Sequence, residues 1–291
     1  MKWGQVVSWA VYRFFAGLAV VLPLSASRVL LGRFFGIVGP FLVRANGRMD
    51  RTLKVVFPFR DELWHQERRH RAWINLGKSV AESMKTEAVQ RQLDTHTTYR
   101  LEPALSVMRQ DPRGQLLLMG HLGAFEVAIQ IVPRLGRPVM GVHRPLPNPL
   151  IEQDLQKSRQ AAGIEMVSVD DPTLVRRGIR HLQAGGLLAI FVDQRWSKGE
   201  YLDLFEQPAL TTLSPGLFQA TTNAQVSTLM CRRESLSRCE VVLENLPFKA
   251  QDSDDWRERG RSIMRAFHGR LEDWVRVYPD DWYWLQERWK P

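Results

Sequence analysis

The chain has 291 residues, 44% hydrophobic and 24% charged, with 40 Lys plus Arg against 31 Asp plus Glu and a net charge of +9. That balance describes a folded chain with its own core and excludes a disordered tail or a multi-pass transporter, and the length allows one large domain or two small ones. Its two cysteines, Cys231 and Cys239, are too few for a disulfide scaffold or a structural zinc site and fit a reducing compartment.

The excess charge is local. Residues 1–60 hold nine basic residues, from Lys2 to Arg60, and one acid, Asp50; the other 231 residues carry 31 basic and 30 acidic groups. These cations are interleaved with the most apolar part of the chain. Residues 9–24 are apolar but broken by Arg13, and residues 29–43 are broken by Arg33 and contain Pro40. The longest uncharged run, 14–27, falls short of the roughly 20 residues a spanning helix needs. Two such segments predict an interfacial or shallowly inserted helical pair. A short tilted span with a snorkelling Arg13 is one alternative. A secretory signal ending at Ser25-Ala26-Ser27 is the other, opposed by the second apolar basic segment that follows at once. Cations beside apolar clusters suit an anionic lipid surface, each contributing about 1 kcal/mol. A nucleic-acid arm would not carry residues 18–24 or 34–43, so nucleic acid is not an expected partner. The expected division is a membrane-associating helical segment, 1–59, followed by a single α/β domain, 60–291.

Residues 61–92 place Leu63, Trp64, Trp73, Leu76, Val80 and Met84 at helical spacing, predicting one or two amphipathic helices. From Gln115 short apolar runs (115–119, 138–143, 164–169, 187–192) alternate with helical stretches (122–135, 148–162, 172–183). That alternation predicts crossover units, hence a mostly parallel sheet flanked by helices. Residues 195–214 read as a polar and aromatic loop, 215–223 as a helix, 226–232 and 239–246 as strands, and 256–277 as a closing helix.

Ligands of an open parallel sheet collect beyond the carboxyl ends of its strands, which delivers His121, Arg144 and Asp193 to one rim. His121 leaves its strand between Gly120 and Gly123, with Glu126 five residues on. A carboxylate there can hold one ring nitrogen and leave the other as a base toward a cleft, a pairing suited to deprotonating an alcohol. The same spacing also permits a plain helix cap, with Glu126 favourably placed in the first turns. No Gly-x-Ser-x-Gly elbow is present and neither cysteine sits in a strand-to-turn setting, so the activated alcohol is expected to be the substrate's. No His-Glu-x-x-His or Cys/His spacing calls for a metal, and no cofactor is expected. His181 and His268 read as surface or packing residues. Trp282, Tyr283, Trp284 and Trp289 suit either an interfacial belt or C-terminal packing.

The segment Gly120-His121-Leu122-Gly123-Ala124-Phe125-Glu126 resembles the His-x4-Asp/Glu motif of glycerolipid-type acyltransferases, in the form found in the late acyltransferases of lipid A biosynthesis. The likeness continues through His143-Arg144-Pro145, Asn148-Pro149-Leu150, Arg159 and Gly163. It then runs through Phe191-Val192-Asp193-Gln194, Gly199-Glu200, Phe205, Pro208-Ala209, and Trp282-Tyr283-Trp284-Leu285 before Arg288. It implies acyl transfer from a thioester, acyl carrier protein or acyl-CoA, to a hydroxyl of a membrane glycolipid at the cytoplasmic face of a bacterial inner membrane. By position it implies His121 as general base and Glu126 as its orienting carboxylate, with Arg144, Arg159, Asp193 and Glu200 meeting substrate. The oxyanion formed in such a transfer needs N–H donors or a cation, which the 120–123 turn, Arg144 or Arg159 can supply. Arg176, Arg177 and Arg180 would be a receiving face for an acidic carrier protein, or simply a solvated one. The chain departs from the family at Leu204-Phe205-Glu206-Gln207, where Phe-Phe-Gly is common. A lysophospholipid or phosphatidylinositol-mannoside type acyltransferase would share the base and differ in acceptor; a non-catalytic membrane scaffold would not need it.

Overall fold

The computed structural model describes residues 3–249 and 255–289; Lys2, counted above among the front-end cations, lies outside them. Helix α1 (Trp3–Val21) stops before Pro23, which immediately precedes α2 (Leu24–Val38). A 3-10 turn, Gly39–Phe41, then leads into α3 (Val43–Val56), and the chain bends by 93° at this break. Asp61 caps α4 (Glu62–Met84) by accepting the Trp64 N–H at 2.7 Å, satisfying a donor the first turn leaves orphaned. Helix α5 (Thr86–Thr95) follows. Gly77 lets α2 and α4 cross closely: a Cβ there would lie 2.3 Å from the Leu31 carbonyl oxygen. Leu31, Met49 and Leu53 of the front helices are buried with the rest of the core. No single described helix is long and apolar enough to cross a membrane; the bent pair 24–41 and 43–56 meets that test only taken together.

The body then runs β1 (Thr97–Arg100), α6 (Ala104–Gln110), β2 (Gln115–Met119), α7 (Phe125–Ile131), β3 (Val139–His143), α8 (Pro149–Ala161), β4 (Ile164–Ser168), α9 (Leu174–Gln183) and β5 (Leu187–Phe191). It continues with β6 (Glu200–Leu204), β7 (Gln207–Thr211), α10 (Ser214–Thr222), β8 (Gln225–Arg233), β9 (Cys239–Asn245) and α11 (Trp256–Val277). Seven strands form one sheet in the order β1-β9-β8-β2-β5-β3-β4, parallel throughout except for the antiparallel β8–β9 pair. The fold is thus α/β with a mostly parallel sheet between helices, as the alternation of runs implies. Every residue of β2 is buried because helices cover both faces. Leu116, Leu118 and Leu188 pack toward Ile263, Phe267 and Leu271 of α11 on one side. Leu117, Met119 and Leu187 pack toward Val127 and Ile131 of α7 on the other.

Two sequence expectations are corrected. Residues 195–214 are not a loop: β6 and β7 form an antiparallel hairpin of their own. Its turn puts Phe205 at φ 51° and Glu206 at φ 60°, the left-handed geometry of a two-residue hairpin that Asn and Gly usually supply, so no turn signal announces it. Strand β1 and helix α6 also lie outside the reading above; β1 has four largely exposed residues and no apolar alternation to reveal it.

Candidate active site

The turn after β2 is fixed from several sides. Gly123 adopts φ +54°, and a Cβ there would lie 2.5 Å from the Cys231 carbonyl oxygen. Its N–H donates to the Asp281 carbonyl at 2.7 Å, and the Ala124 N–H to that of Cys231 at 2.8 Å. Glycine is required both for the dihedral and for this approach. The turn presents His121, whose ring is partly exposed.

Asp193 lies at the end of β5, the strand paired directly with β2, and is fully buried. Its Oδ1 is 2.7 Å from His121 Nδ1, and its Oδ2 accepts the His121 backbone N–H at 2.9 Å. Trp282 Nε1 donates to Oδ2 at 3.1 Å and Gln286 Nε2 at 3.4 Å. Burial works to raise the Asp193 carboxyl, but the charge and hydrogen bonds of His121, helped by the indole N–H, outweigh it and hold the group below the usual carboxylate range. An ionised carboxylate on Nδ1 fixes that nitrogen as the donor and leaves Nε2 for the cavity that His121 lines. Phe191, Phe125 and Tyr283 surround the ring, at centroid distances of 4.3, 5.3 and 5.9 Å.

This geometry corrects the expected pairing. The carboxylate on the ring is Asp193; Glu126 instead lies 3.5 Å from Arg159 and makes no hydrogen bond to His121 among the described residues. The reason is topological: neighbouring parallel strands bring their ends side by side, whereas residue 126 is already inside α7 and turned toward α8. Burial pushes the Glu126 carboxyl up, against the pull of Arg159. The expectation that Asp193 meets substrate is corrected too, because it sits behind the imidazole with no exposed surface. Glu200 does not reach the cavity either; it pairs with Arg261 of α11 at 2.8 Å. Arg144 and Arg159 both line the cavity, Arg144 with its guanidinium 5.6 Å from the centre of the Trp196 ring.

The other singled-out residues have separate roles. His143 lies 3.2 Å from Glu152 Oε1, while Glu152 Oε2 accepts the Leu146 N–H at 2.9 Å, so this pair stitches the loop after β3. His181 bonds to the Pro138 and Leu187 carbonyls, and Arg177 pairs with Asp171 and Glu165. His268 is buried against Asp203 O and Arg288. Trp282 and Trp284 are buried and stack edge to face with centroids 4.9 Å apart, so these two indoles pack the C-terminal segment.

The cavity measures about 880 Å³ and its lining is largely apolar. Its lining includes the sheet positions facing α7 and α8, where Gly141 of β3 and Ala189 of β5 stand directly opposite each other in register. Met166 fills the space beside Gly141, its sulfur 2.7 Å from where a Cβ would lie, whereas Ala189 is only half-buried, among Ile129, Leu155 and Met166. The lining also includes Tyr12, Phe15, Leu31, Phe34 and Phe35 of the front helices. A largely apolar cavity of this volume, lined also by charged groups such as Glu126, Arg144, Arg159 and Arg195, has room for a hydrocarbon chain beside polar groups.

A family model described as bacterial lipid A biosynthesis acyltransferase matches residues 2–291. The chain belongs to that family. No match was found among curated proteins. The protein is an acyltransferase of the lipid A late-acyltransferase type, with lipid A as the substrate it acts on. Within this lipid A acyltransferase, the contacts that the sequence did not reveal are those of Trp282, Tyr283 and Gln286, which brace the His121–Asp193 pair, and the place of Ala189 in the cavity wall. The tryptophan-rich tail was visible as a motif, but the partner of Trp282 lies 89 positions away; Ala189 carries no signal, because small side chains in strands are commonplace.

Proposed function

We propose that His121 is the general base for transfer of a fatty acyl group from a thioester, carried by acyl carrier protein or coenzyme A, to a hydroxyl of the glycolipid, with Asp193 as the orienting carboxylate. Nε2 takes the hydroxyl proton as the oxygen attacks the thioester carbonyl. The tetrahedral oxyanion then collapses, the C–S bond breaks, and the leaving thiolate receives the proton from the imidazolium. The observation that carries this reading is the 2.7 Å contact between His121 Nδ1 and Asp193 Oδ1, with His121 lining a largely apolar cavity. Base catalysis of this kind contributes about 10²–10⁴ in rate. Arg144, Arg159 and Arg195 line the cavity and are available to the oxyanion or to anionic groups of the substrates, and the apolar wall around Ala189 is the seat for the acyl chain.

The front helices support membrane association. Ile37, Phe41 and Val43 are strongly exposed, beside Arg33, Arg44 and Arg48, and an interfacial position on an anionic leaflet suits that composition. A cytoplasmic-face location follows from the thioester donor. The test is acyl transfer by purified His121→Ala and wild-type protein, together with lipid mass spectrometry of a deletion strain. Undiminished transfer by the variant sinks the base assignment, and altered glycerophospholipids with unchanged lipid A sink the acceptor.

A further inference from the structure

One more side chain grips the turn that bears His121. Arg233, at the end of β8, donates from Nη1 to the Gly123 carbonyl at 2.9 Å. The same guanidinium donates to both oxygens of Glu82 on α4, from Nε at 2.8 Å and Nη2 at 2.6 Å. Glu82 also accepts from Arg28 Nε of α2 at 2.8 Å, and Arg28 Nη1 donates to the Leu236 carbonyl at 2.7 Å. The side chains of Arg28 and Glu82 are fully buried and that of Arg233 is 6% exposed.

Two cations and one anion out of water are an expensive way to join three elements. Burial works to lower the Arg233 guanidinium and Glu82 outweighs it, keeping the charge in place. Well-packed apolar residues of similar volume often replace such clusters with no loss of stability. Stability is therefore a weak reason for this one. An apolar side chain cannot, however, donate to the Gly123 oxygen. Helices α2 and α4 are also the elements that wall the cavity, through Leu31, Phe34, Phe35, Leu76 and Val80.

We propose that Arg233, keyed by Glu82 and Arg28, is a positioning residue for acyl transfer. It ties the 120–124 turn to α2 and α4, so that the base and the wall holding the substrate keep one spacing. The inference rests on the general-base reading above. Misplacement of a reacting group by about 1 Å can cost about 100-fold in rate, which is the scale of effect the bridge would prevent.

The experiment replaces the whole cluster by apolar residues, Arg28→Met with Glu82→Leu and Arg233→Met, in the full chain. Transfer to a lipid A precursor is then measured with both acyl-CoA and acyl carrier protein thioesters. The expected result is a thermal midpoint near that of the wild type, a kcat lower by about 10–100-fold, and a KM for the thioester within about twofold. A kcat within about threefold of the wild type overturns the proposal. If the triple variant does not fold, Arg233→Lys decides by the same thresholds, because an ammonium lacks the planar fork whose three nitrogens reach Gly123 and both Glu82 oxygens. His121→Ala separates the two levels: retained transfer there sinks the base reading, whereas its loss alongside wild-type kcat in the cluster variants sinks the positioning role alone.

Discussion

The indole nitrogen of Trp282 donates, across 3.1 Å, to the Asp193 oxygen that also accepts the His121 backbone N–H. The C-terminal segment therefore completes the shell of the pair at the rim of the sheet. Tyr283 continues the grip by donating its N–H to the His121 carbonyl at 2.9 Å. A carboxylate met only by donors has one protonation state that suits it, and the imidazole inherits a fixed tautomer.

Asp193→Asn turns an NH2 group toward those donors and releases the ring. The expected loss in kcat is about 10²–10⁴, with little change in KM for the thioester. Glu126→Gln disturbs the contact with Arg159 and is expected to cost less in kcat and more in KM. Steady-state kinetics of the two variants decide the matter, and a larger kcat loss for Glu126→Gln would reverse the assignment of the orienting carboxylate.

Narrowing the cavity at Ala189 should shorten the preferred acyl chain. Ala189→Phe projects a ring from β5 among Ile129, Leu155 and Met166, whereas Gly141 is already covered by Met166, whose sulfur would lie 2.7 Å from a new Cβ. Each methylene denied burial is worth about 0.8 kcal/mol, roughly fourfold in kcat/KM. A series of donors of increasing chain length is the measurement; a uniform loss at all lengths would place the chain elsewhere.

His268 predicts an acid-sensitive fold. Burial, and then the Arg288 charge, push its imidazole down to about 4 from an ordinary 6.5. Between those values the unfolded chain binds the proton that the folded chain refuses, so stability falls as pH drops through that window. The size is about 3 kcal/mol from the relation between pKa and free energy. Chemical denaturation at pH 7 and pH 4.5 should show a smaller pH-dependent loss for His268→Gln than for the wild type.

The β6–β7 turn holds Glu206, an exposed residue, at φ 60°. A left-handed non-glycine residue costs about 1–2 kcal/mol. Glu206→Gly should raise stability by about 1 kcal/mol, read as a higher denaturant midpoint at unchanged slope. Phe205, its neighbour, should not tolerate the same change, since its ring packs 6.0 Å from Trp282 and beneath the Arg276 guanidinium.

Phe41→Glu with Val43→Glu should weaken sedimentation with anionic vesicles by about 10–100-fold, because two exposed apolar anchors are lost and two anions gained. Wild-type binding should also fall as salt rises, by screening of the front-end arginines. Vesicle binding indifferent to both would remove the interfacial role of this surface.

Much of the architecture was legible in the chain itself. Runs such as 116–119 and 187–192 are apolar throughout because both faces of a parallel sheet are covered, and the intervening helices keep a 3.6-residue rhythm; α11 is delimited as the periodicity marks it. His121 stood out because it leaves a strand between glycines in a segment that resembles a His-x4-Glu motif, although the spacing by itself also allowed a helix cap. Its partner did not, since sequence proximity favoured Glu126 while strand pairing supplied Asp193, 72 positions away. The hairpin at 200–211 was hidden by a turn that lacks the usual residues. The composition of the chain determined which groups could reach the rim. Only the packed sheet, by setting β5 beside β2 and laying the tryptophan tail across them, decided which carboxylate touches the imidazole, because a 2.7 Å contact depends on strand order and not on spacing along the chain.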